Sequence, residues 1–257
     1  KAYEDVGFGS VVNHGISDET IEQLYEQVKT YFSLPKSTKK ECEVEGLAGQ
    51  RGYTSFGREP AKGSDAPDLK EFYQWGQTVQ GEDLTKEDYP DNVMVANLPA
   101  FNKIIQQAYR SFEESGKYLL QAIAIYLGLD ENYFDHKIHN GNSILRAIHY
   151  PPITEEPKNA IRAEQHEDIN LITLLVGASA DGLELLNKEN VWLPINAGPG
   201  EIVVNVGDML QRLTNNKLRS TTHRVVKPPR EKWNTSRYSI PFFLHPRSEM
   251  DLTCLED

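Results

Sequence analysis

Cysteine is nearly missing: Cys42 and Cys254 are the only two in 257 residues, and they stand far apart, outside any ligand-like spacing. That argues against a disulfide framework and a thiolate zinc site, and it fits a reducing, cytoplasmic setting. No uninterrupted apolar run approaches the roughly 20 residues that span a bilayer. No secretory signal is visible where the chain opens, at Lys1 without a methionine. Positive charge is in deficit as well, with 27 Lys and Arg against 38 Asp and Glu for a net charge of −11. A nucleic-acid binder normally carries a basic face, so nucleic acid is not an expected partner. A negative surface also repels anionic lipids, and any anionic co-substrate needs a locally basic pocket. Internal repeats and low-complexity stretches are absent too.

What is present suits a folded enzyme. Hydrophobic residues make up 39% and charged residues 25%, enough for one large domain spanning residues 1–257. Residues 6–13 read as a short β segment with a turn at His14-Gly15. Ser17 is placed to cap a helix, and Ile21, Leu24, Tyr25, Val28, Tyr31 and Phe32 recur at helical period until Pro35 interrupts. Residues 44–67 are rich in Gly, Ser, Pro and charge and read as a long excursion that could cover a site. A second helix is expected from Pro99 to Leu127, with Gly128 as its stop, and Tyr133-Phe134 can begin a short third one. After about residue 142 the texture changes to short apolar runs separated by turns, at 144–150, 171–176, 183–187, 191–195, 202–206, 223–226 and 237–244. A helix-rich part (1–141) followed by a strand-rich part (142–257) predicts an α+β, mainly β enzyme built on an antiparallel sandwich or barrel.

Two segments carry chemistry. In Gln165-His166-Glu167-Asp168 an imidazole and a carboxylate stand two residues apart, and in an extended chain they share one face. His223, in Thr222-His223-Arg224-Val225, can supply a third ligand from elsewhere. Two histidines and a carboxylate form a facial triad that leaves open positions on an octahedral iron, although zinc also accepts such donors. Each residue taken singly reads as an ordinary solvated or core side chain. The second segment is Ser236-Arg237-Tyr238-Ser239-Ile240-Pro241, where Arg237 and Ser239 again share a face. A guanidinium turned into a β core needs an anion, which is either a structural Asp or Glu or a ligand carboxylate held by the planar fork.

His166-x-Asp168, His223-Arg224-Val225 and Arg237-x-Ser239 together, in this order and spacing, resemble the isopenicillin N synthase-like family of 2-oxoglutarate-dependent oxygenases, and the likeness covers nearly the whole chain. Gly7-Phe8 with Val12-Asn13-His14-Gly15-Ile16 resembles the family's N-terminal signature. Val204-Asn205-Val206-Gly207-Asp208 and Leu213-Thr214-Asn215 resemble the stretch before its distal histidine. His14, Asn205 and Asp208 are read singly as turn and packing residues. Ile148-His149-Tyr150-Pro151 matches the family's Tyr-Tyr-Pro element at Tyr150 but departs from the plant pattern at His149, and Asp68-Leu69-Lys70-Glu71-Phe72-Tyr73 resembles bacterial members. Members usually carry a further strand before the Gly-Phe segment, so the chain begins late by this likeness.

The resemblance implies a double-stranded β-helix (jelly-roll) core with N-terminal and supporting helices. It implies Fe(II) on His166, Asp168 and His223, and 2-oxoglutarate on Arg237, Ser239 and Tyr150. Dioxygen is the second co-substrate, and a small organic molecule is hydroxylated, desaturated or cyclised as 2-oxoglutarate is decarboxylated to succinate. Relatives of the same fold use ascorbate or the substrate's own electrons and also carry an Arg-x-Ser pair. A ligand-binding relative without turnover and a zinc hydrolase complete the alternatives. Glu167, expected on the opposite face from the ligands, is a poor general base for the hydrolase.

Overall fold

Local sequence rules account for the helices seen in the computed structural model, which describes residues 1–58, 68–79, 81, 88–155, 162–177 and 181–255. A short helix, α1 (Ala2–Asp5), leads into strand β1 (Phe8–Val12). Ser17 caps α2 (Asp18–Phe32) by accepting a hydrogen bond from the Thr20 amide at 3.2 Å. That helix buries Leu24, Val28, Tyr31 and Phe32. Pro35 closes it and caps a further one-turn helix, α3 (Lys36–Lys40). The long helix α4 (Pro99–Tyr126) starts on its proline and ends where Gly128 takes a φ of 75°. The expected start at Tyr133-Phe134 shifts slightly, with Phe134 capping α5 (Asp135–Ile138).

The strands form two antiparallel sheets. The larger runs β1-β9-β6-β11-β4-β3-β2, using β2 (Gly52–Thr54), β3 (Glu71–Gly76), β4 (Ile144–Tyr150), β6 (Ile172–Val176), β9 (Glu201–Val206) and β11 (Arg237–Leu244). The smaller runs β5-β10-β7-β8, from β5 (Ala163–His166), β7 (Leu183–Leu186), β8 (Trp192–Pro194) and β10 (His223–Val225). From β4 onward the chain passes back and forth between the sheets, as a double-stranded β-helix requires. The apolar runs at 144–150 and 237–244 match their strands, and the others agree to within a residue or two.

Period-two alternation sorts each strand of the larger sheet into two faces. Leu145, Ala147, Ile172, Leu174, Ile202, Val204, Ile240 and Phe242 join one core with α2 and α4. The alternate positions, among them Tyr150, Thr173, Asn205, Ser239 and Phe243, line a cavity facing the smaller sheet. On the inner strands β4, β6, β9 and β11 both faces are largely covered, which is why they are so apolar, whereas β1 at the edge exposes Ser10 and Val12.

The excursion at 44–67 is not wholly irregular: β2 lies inside it and pairs with β3 at the sheet edge. Three residues opened by a glycine give no periodic signal, so the strand is invisible in the sequence. Residues 44–58 do not line the cavity between the sheets. Residues 59–67 of the excursion lie outside the described residues.

On the helix side of the larger sheet a buried polar cluster joins α3, β2, β3 and β4. Both Glu71 carboxylate oxygens accept hydrogen bonds from Lys39 Nζ at 2.9 Å, Oε1 also accepts from His149 Nδ1 at 2.8 Å, and Oε2 accepts from the Tyr53 hydroxyl. The His149 ring stacks on Tyr238 at 4.8 Å and its Nε2 meets Ser236 Oγ at 3.0 Å. The departure from the plant pattern at His149 is thus absorbed by a structural contact.

Candidate metal centre and co-substrate pocket

Register brings the two histidines together. In the β5–β10 pair, His166 stands directly opposite His223, beside an irregularity in the ladder. Their ring centroids are 4.4 Å apart. Asp168 follows β5, where its carbonyl accepts from the Asp208 amide at 2.8 Å, anchoring the segment to the start of α6 (Asp208–Leu213). The N-terminal Gly-Phe pair braces this arrangement from β1. Phe8 packs edge-on against the His223 ring at 5.4 Å. A Cβ at Gly7 would overlap the Arg219 carbonyl, so glycine is required for the close approach, and its φ of 74° favours glycine as well. Thr221 Oγ1 completes the clamp by donating to the Val6 carbonyl at 2.7 Å.

The donor atoms are oriented by their other ends. His166 Nδ1 lies 2.7 Å from the Glu164 carbonyl and His223 Nδ1 lies 3.0 Å from the Thr221 carbonyl. Carbonyls only accept, so each Nδ1 donates, and the neutral imidazole with that tautomer presents an Nε2 lone pair. Asp168 Oδ2 accepts from Thr173 Oγ1 at 2.6 Å and Asn205 Nδ2 at 2.8 Å, which leaves Oδ1 turned toward the imidazoles. Oδ1 sits 3.9 Å from His166 Nε2 and 3.8 Å from His223 Nε2, beyond hydrogen-bond reach. One atom from each of the three residues lies within 4.8 Å of the others. Three lone pairs meeting without a donor among them suit a cation, and the N,N,O donor set fits Fe(II).

Electrostatics agree. Burial by itself would push the Asp168 carboxyl up, but His223, His166 and the hydrogen bonds from Asn205 and Thr173 outweigh it and hold the carboxyl below its usual range. Burial, reinforced by neighbouring His223, lowers the His166 imidazole, favouring the neutral form that binds metals.

The anion-binding expectation falls on the same cavity face. Arg237 on β11 stands opposite Tyr150 on β4, and Ser239 stands opposite Ile148. Arg237 is 1% exposed, and its guanidinium carbon lies 5.1 Å from the Tyr150 ring centroid. Tyr150 and Ser239 line the cavity together with the triad. Five of the six residues singled out in the sequence line one cavity, and the sixth, Arg237, lies against the Tyr150 ring beside it.

Asn205 requires correction. Read singly as a packing residue, it is a hydrogen-bond donor to Asp168, and Thr173, directly across the β6–β9 ladder, is its companion. A signal for both existed in the sequence: each is a polar residue between apolar neighbours on a strand. His14 does act in a turn, accepting from the Ile16 amide through Nδ1 at 3.3 Å. Glu167 accepts from Thr222 Oγ1 and is not among the residues that line the cavity.

Known proteins extend this geometry. Residues 141–246 match the 2OG-Fe(II) oxygenase superfamily, and residues 1–97 match the N-terminal family described for non-haem dioxygenases in morphine synthesis. The chain belongs to the 2OG-Fe(II) oxygenases. A 2-oxoglutarate-Fe(II) type oxidoreductase of Metarhizium rileyi is 33% identical over 95% of this chain and 73% of its own length. A proline hydroxylase of Petromyces alliaceus is 33% identical over 99% of this chain and 82% of its own. Among solved structures, a Caulobacter crescentus protein assigned to this oxygenase family superposes with a TM-score of 0.90 at 44% identity, covering 99% of this chain and 82% of that one. A full-length Neurospora crassa protein in complex with alpha-KG superposes with a TM-score of 0.87 at 31% identity, covering 98% and 79%. These oxygenases have a jelly-roll core, and the two sheets described above are that core. The cofactors of the class are Fe(II), 2-oxoglutarate and dioxygen.

Proposed function

We propose that this 2-oxoglutarate- and Fe(II)-dependent dioxygenase oxidises a small organic molecule, with iron on His166, Asp168 and His223 and the distal carboxylate of 2-oxoglutarate on Arg237, Ser239 and Tyr150. The observation that carries the reading is the convergence of three lone pairs whose partner atoms are already engaged by the protein. Iron bound there supplies the redox centre for reducing dioxygen while 2-oxoglutarate is decarboxylated to succinate.

The chain's own part is placement and exclusion. Glu164 and Thr221 carbonyls fix the tautomers of the two histidines, and Thr173 and Asn205 turn Asp168 Oδ1 inward. Arg237 and Ser239 offer charge-assisted hydrogen bonds to a carboxylate, and the Tyr150 ring walls it in. Leu175, Leu183, Val203 and Val225 line the same space and keep it apolar, which limits water and side reactions. Lys70, Arg146 and Phe243 also border the cavity, so a substrate placed near the metal would meet them.

We extend the proposal to organisation and setting. Residues 1–257 act as one oxygenase domain, supported by β1 from the N-terminal part completing the larger sheet against β9. A small molecule, not nucleic acid or membrane, is the partner, in keeping with the net charge of −11. The Neurospora crassa relative holds such molecules, thymine in one solved complex and 5-formyluracil in another. A cytoplasmic location is supported by two cysteines that form no disulfide. No described helix is long and apolar enough to cross a membrane.

The test is to add Fe(II) and 2-oxoglutarate to metal-free protein under nitrogen and record visible absorption. A weak charge-transfer band that is lost in Arg237→Ala, followed by succinate release in air, is expected. Iron binding with no band on adding 2-oxoglutarate would overturn the co-substrate assignment and point to the ascorbate-type or substrate-oxidising relatives.

A further inference from the structure

A second guanidinium lies against the same tyrosine ring as Arg237. Arg162, the residue before β5, is only 1% exposed, and its guanidinium carbon lies 5.8 Å from the Tyr150 ring centroid, the ring that Arg237 approaches to 5.1 Å. Its Nη2 donates to the Thr235 carbonyl at 3.2 Å, two residues before Arg237. Its buried Nε has no hydrogen-bond partner among the described residues. Ala163, the next residue, lines the cavity that holds the triad. Burial and the like charge of Arg237 push the Arg162 guanidinium down to about 10.

A buried cationic donor with no partner is costly, and a like-charged neighbour raises the cost. Such a feature persists where a ligand relieves it. A role limited to tying the chain before β5 to the loop before β11 would need only the Thr235 contact. It would not call for a permanent charge, nor for a second one on the Tyr150 ring. An anion within reach of Arg162 would satisfy its Nε and offset the like charge of Arg237. The proposed function already brings one to this end of the pocket, the distal carboxylate of 2-oxoglutarate.

Resting on that function, we infer that Arg162 is a second co-substrate-binding arginine, sharing the distal carboxylate of 2-oxoglutarate with Arg237 and making the pocket selective for dicarboxylates. Neutral or monoanionic reductants lack the group that the two cations would share. The arrangement therefore also separates 2-oxoglutarate from ascorbate at the level of binding.

The experiment compares two ligands under nitrogen with Fe(II)-loaded protein, following the charge-transfer band as each is titrated. 2-Oxoglutarate has both the chelating end and the distal carboxylate; 2-oxopentanoate keeps the chelating end and carries a methyl in place of that carboxylate. Arg162→Met is expected to weaken 2-oxoglutarate about 10- to 100-fold, the range of a lost charge-assisted hydrogen bond, and to leave 2-oxopentanoate within about twofold. Equal weakening of both ligands, or unchanged affinity for 2-oxoglutarate, overturns the inference, because a purely structural arginine cannot tell the two apart. Should Arg162→Met fold poorly, Arg162→Lys carries the same comparison. It keeps the charge but loses the planar fork, so it should lose at least about threefold for 2-oxoglutarate alone. Wild-type affinity for 2-oxoglutarate in Arg162→Lys overturns the inference as well. If wild-type protein binds iron yet gives no band with 2-oxoglutarate, the proposed function itself fails, which is a different result.

Discussion

Two buried clusters in this protein use similar residues and do opposite things. Around Glu71, each charged group finds its counterpart within the protein: Lys39, Tyr53 and His149 all converge on one carboxylate, and Ser236 takes the far nitrogen of the imidazole. Around Asp168, each side chain is bonded at one end only, and the other ends face one another at 3.8 and 3.9 Å. The first arrangement is complete and ties α3 to the sheet. The second leaves three donor atoms converging within 4.8 Å of one another, the arrangement a cation requires. What separates a structural cluster from a functional one is thus the number of lone pairs left converging, not burial or residue type.

Removing the central carboxylate of each cluster tests that contrast most strongly. Asp168→Ala should lose iron and all iron-dependent succinate release while remaining folded, as read by metal content and circular dichroism. Glu71→Ala should do the reverse. It strands the Lys39 ammonium, whose side chain is only 9% exposed, and should cost about 3–5 kcal/mol in denaturant unfolding. Its folded fraction should still bind iron. Activity surviving in Asp168→Ala, or full stability in Glu71→Ala, would break the comparison.

Smaller effects sharpen it. Arg237→Ala should raise the 2-oxoglutarate requirement about 10- to 150-fold, with iron affinity unchanged, because a charge-assisted bidentate contact is worth about 1.5–3 kcal/mol. Asn205→Ala removes one of the two donors that orient Asp168 and should weaken iron binding about 10- to 100-fold in a chelator competition. Unchanged affinity there would mean that Thr173 suffices.

The smallest effect concerns pH. Burial acts to raise the Glu71 carboxyl, but hydrogen bonds from His149, Tyr53 and Lys39 prevail and hold it below the usual 4.5. A depressed carboxyl stabilises the folded state above its unfolded value and loses that contribution as pH falls through the folded one. Unfolding free energy should therefore decline as pH falls below about 4.5, and Glu71→Gln should flatten that decline. An identical slope in the variant would assign the acid sensitivity to other carboxylates.

Much of this was legible in the sequence because it rests on periodicity and spacing. The α2 and α4 stripes, the apolar strands from residue 144 onward, and the same-face pairs His166/Asp168 and Arg237/Ser239 all follow from local geometry. β2 escaped because three residues carry no period, and Asn205 and Thr173 were passed over because their partner, Asp168, lies on another segment. Arg162 escaped for the same reason: it becomes notable only through Tyr150 and Arg237, which come from other strands.

By itself, then, the sequence determined which side chains were available, on which face of each element, and that a His-x-Asp and His set and an Arg-x-Ser pair stood among them. Only the tertiary structure decided that His166 faces His223 across a ladder, that Phe8 and Gly7 brace that histidine from the far end of the chain, and that a second arginine stands by Tyr150. The reason is physical. Local order follows from rules that act within a few residues, whereas a site is a set of atoms whose separations depend on register and packing between segments far apart in the chain.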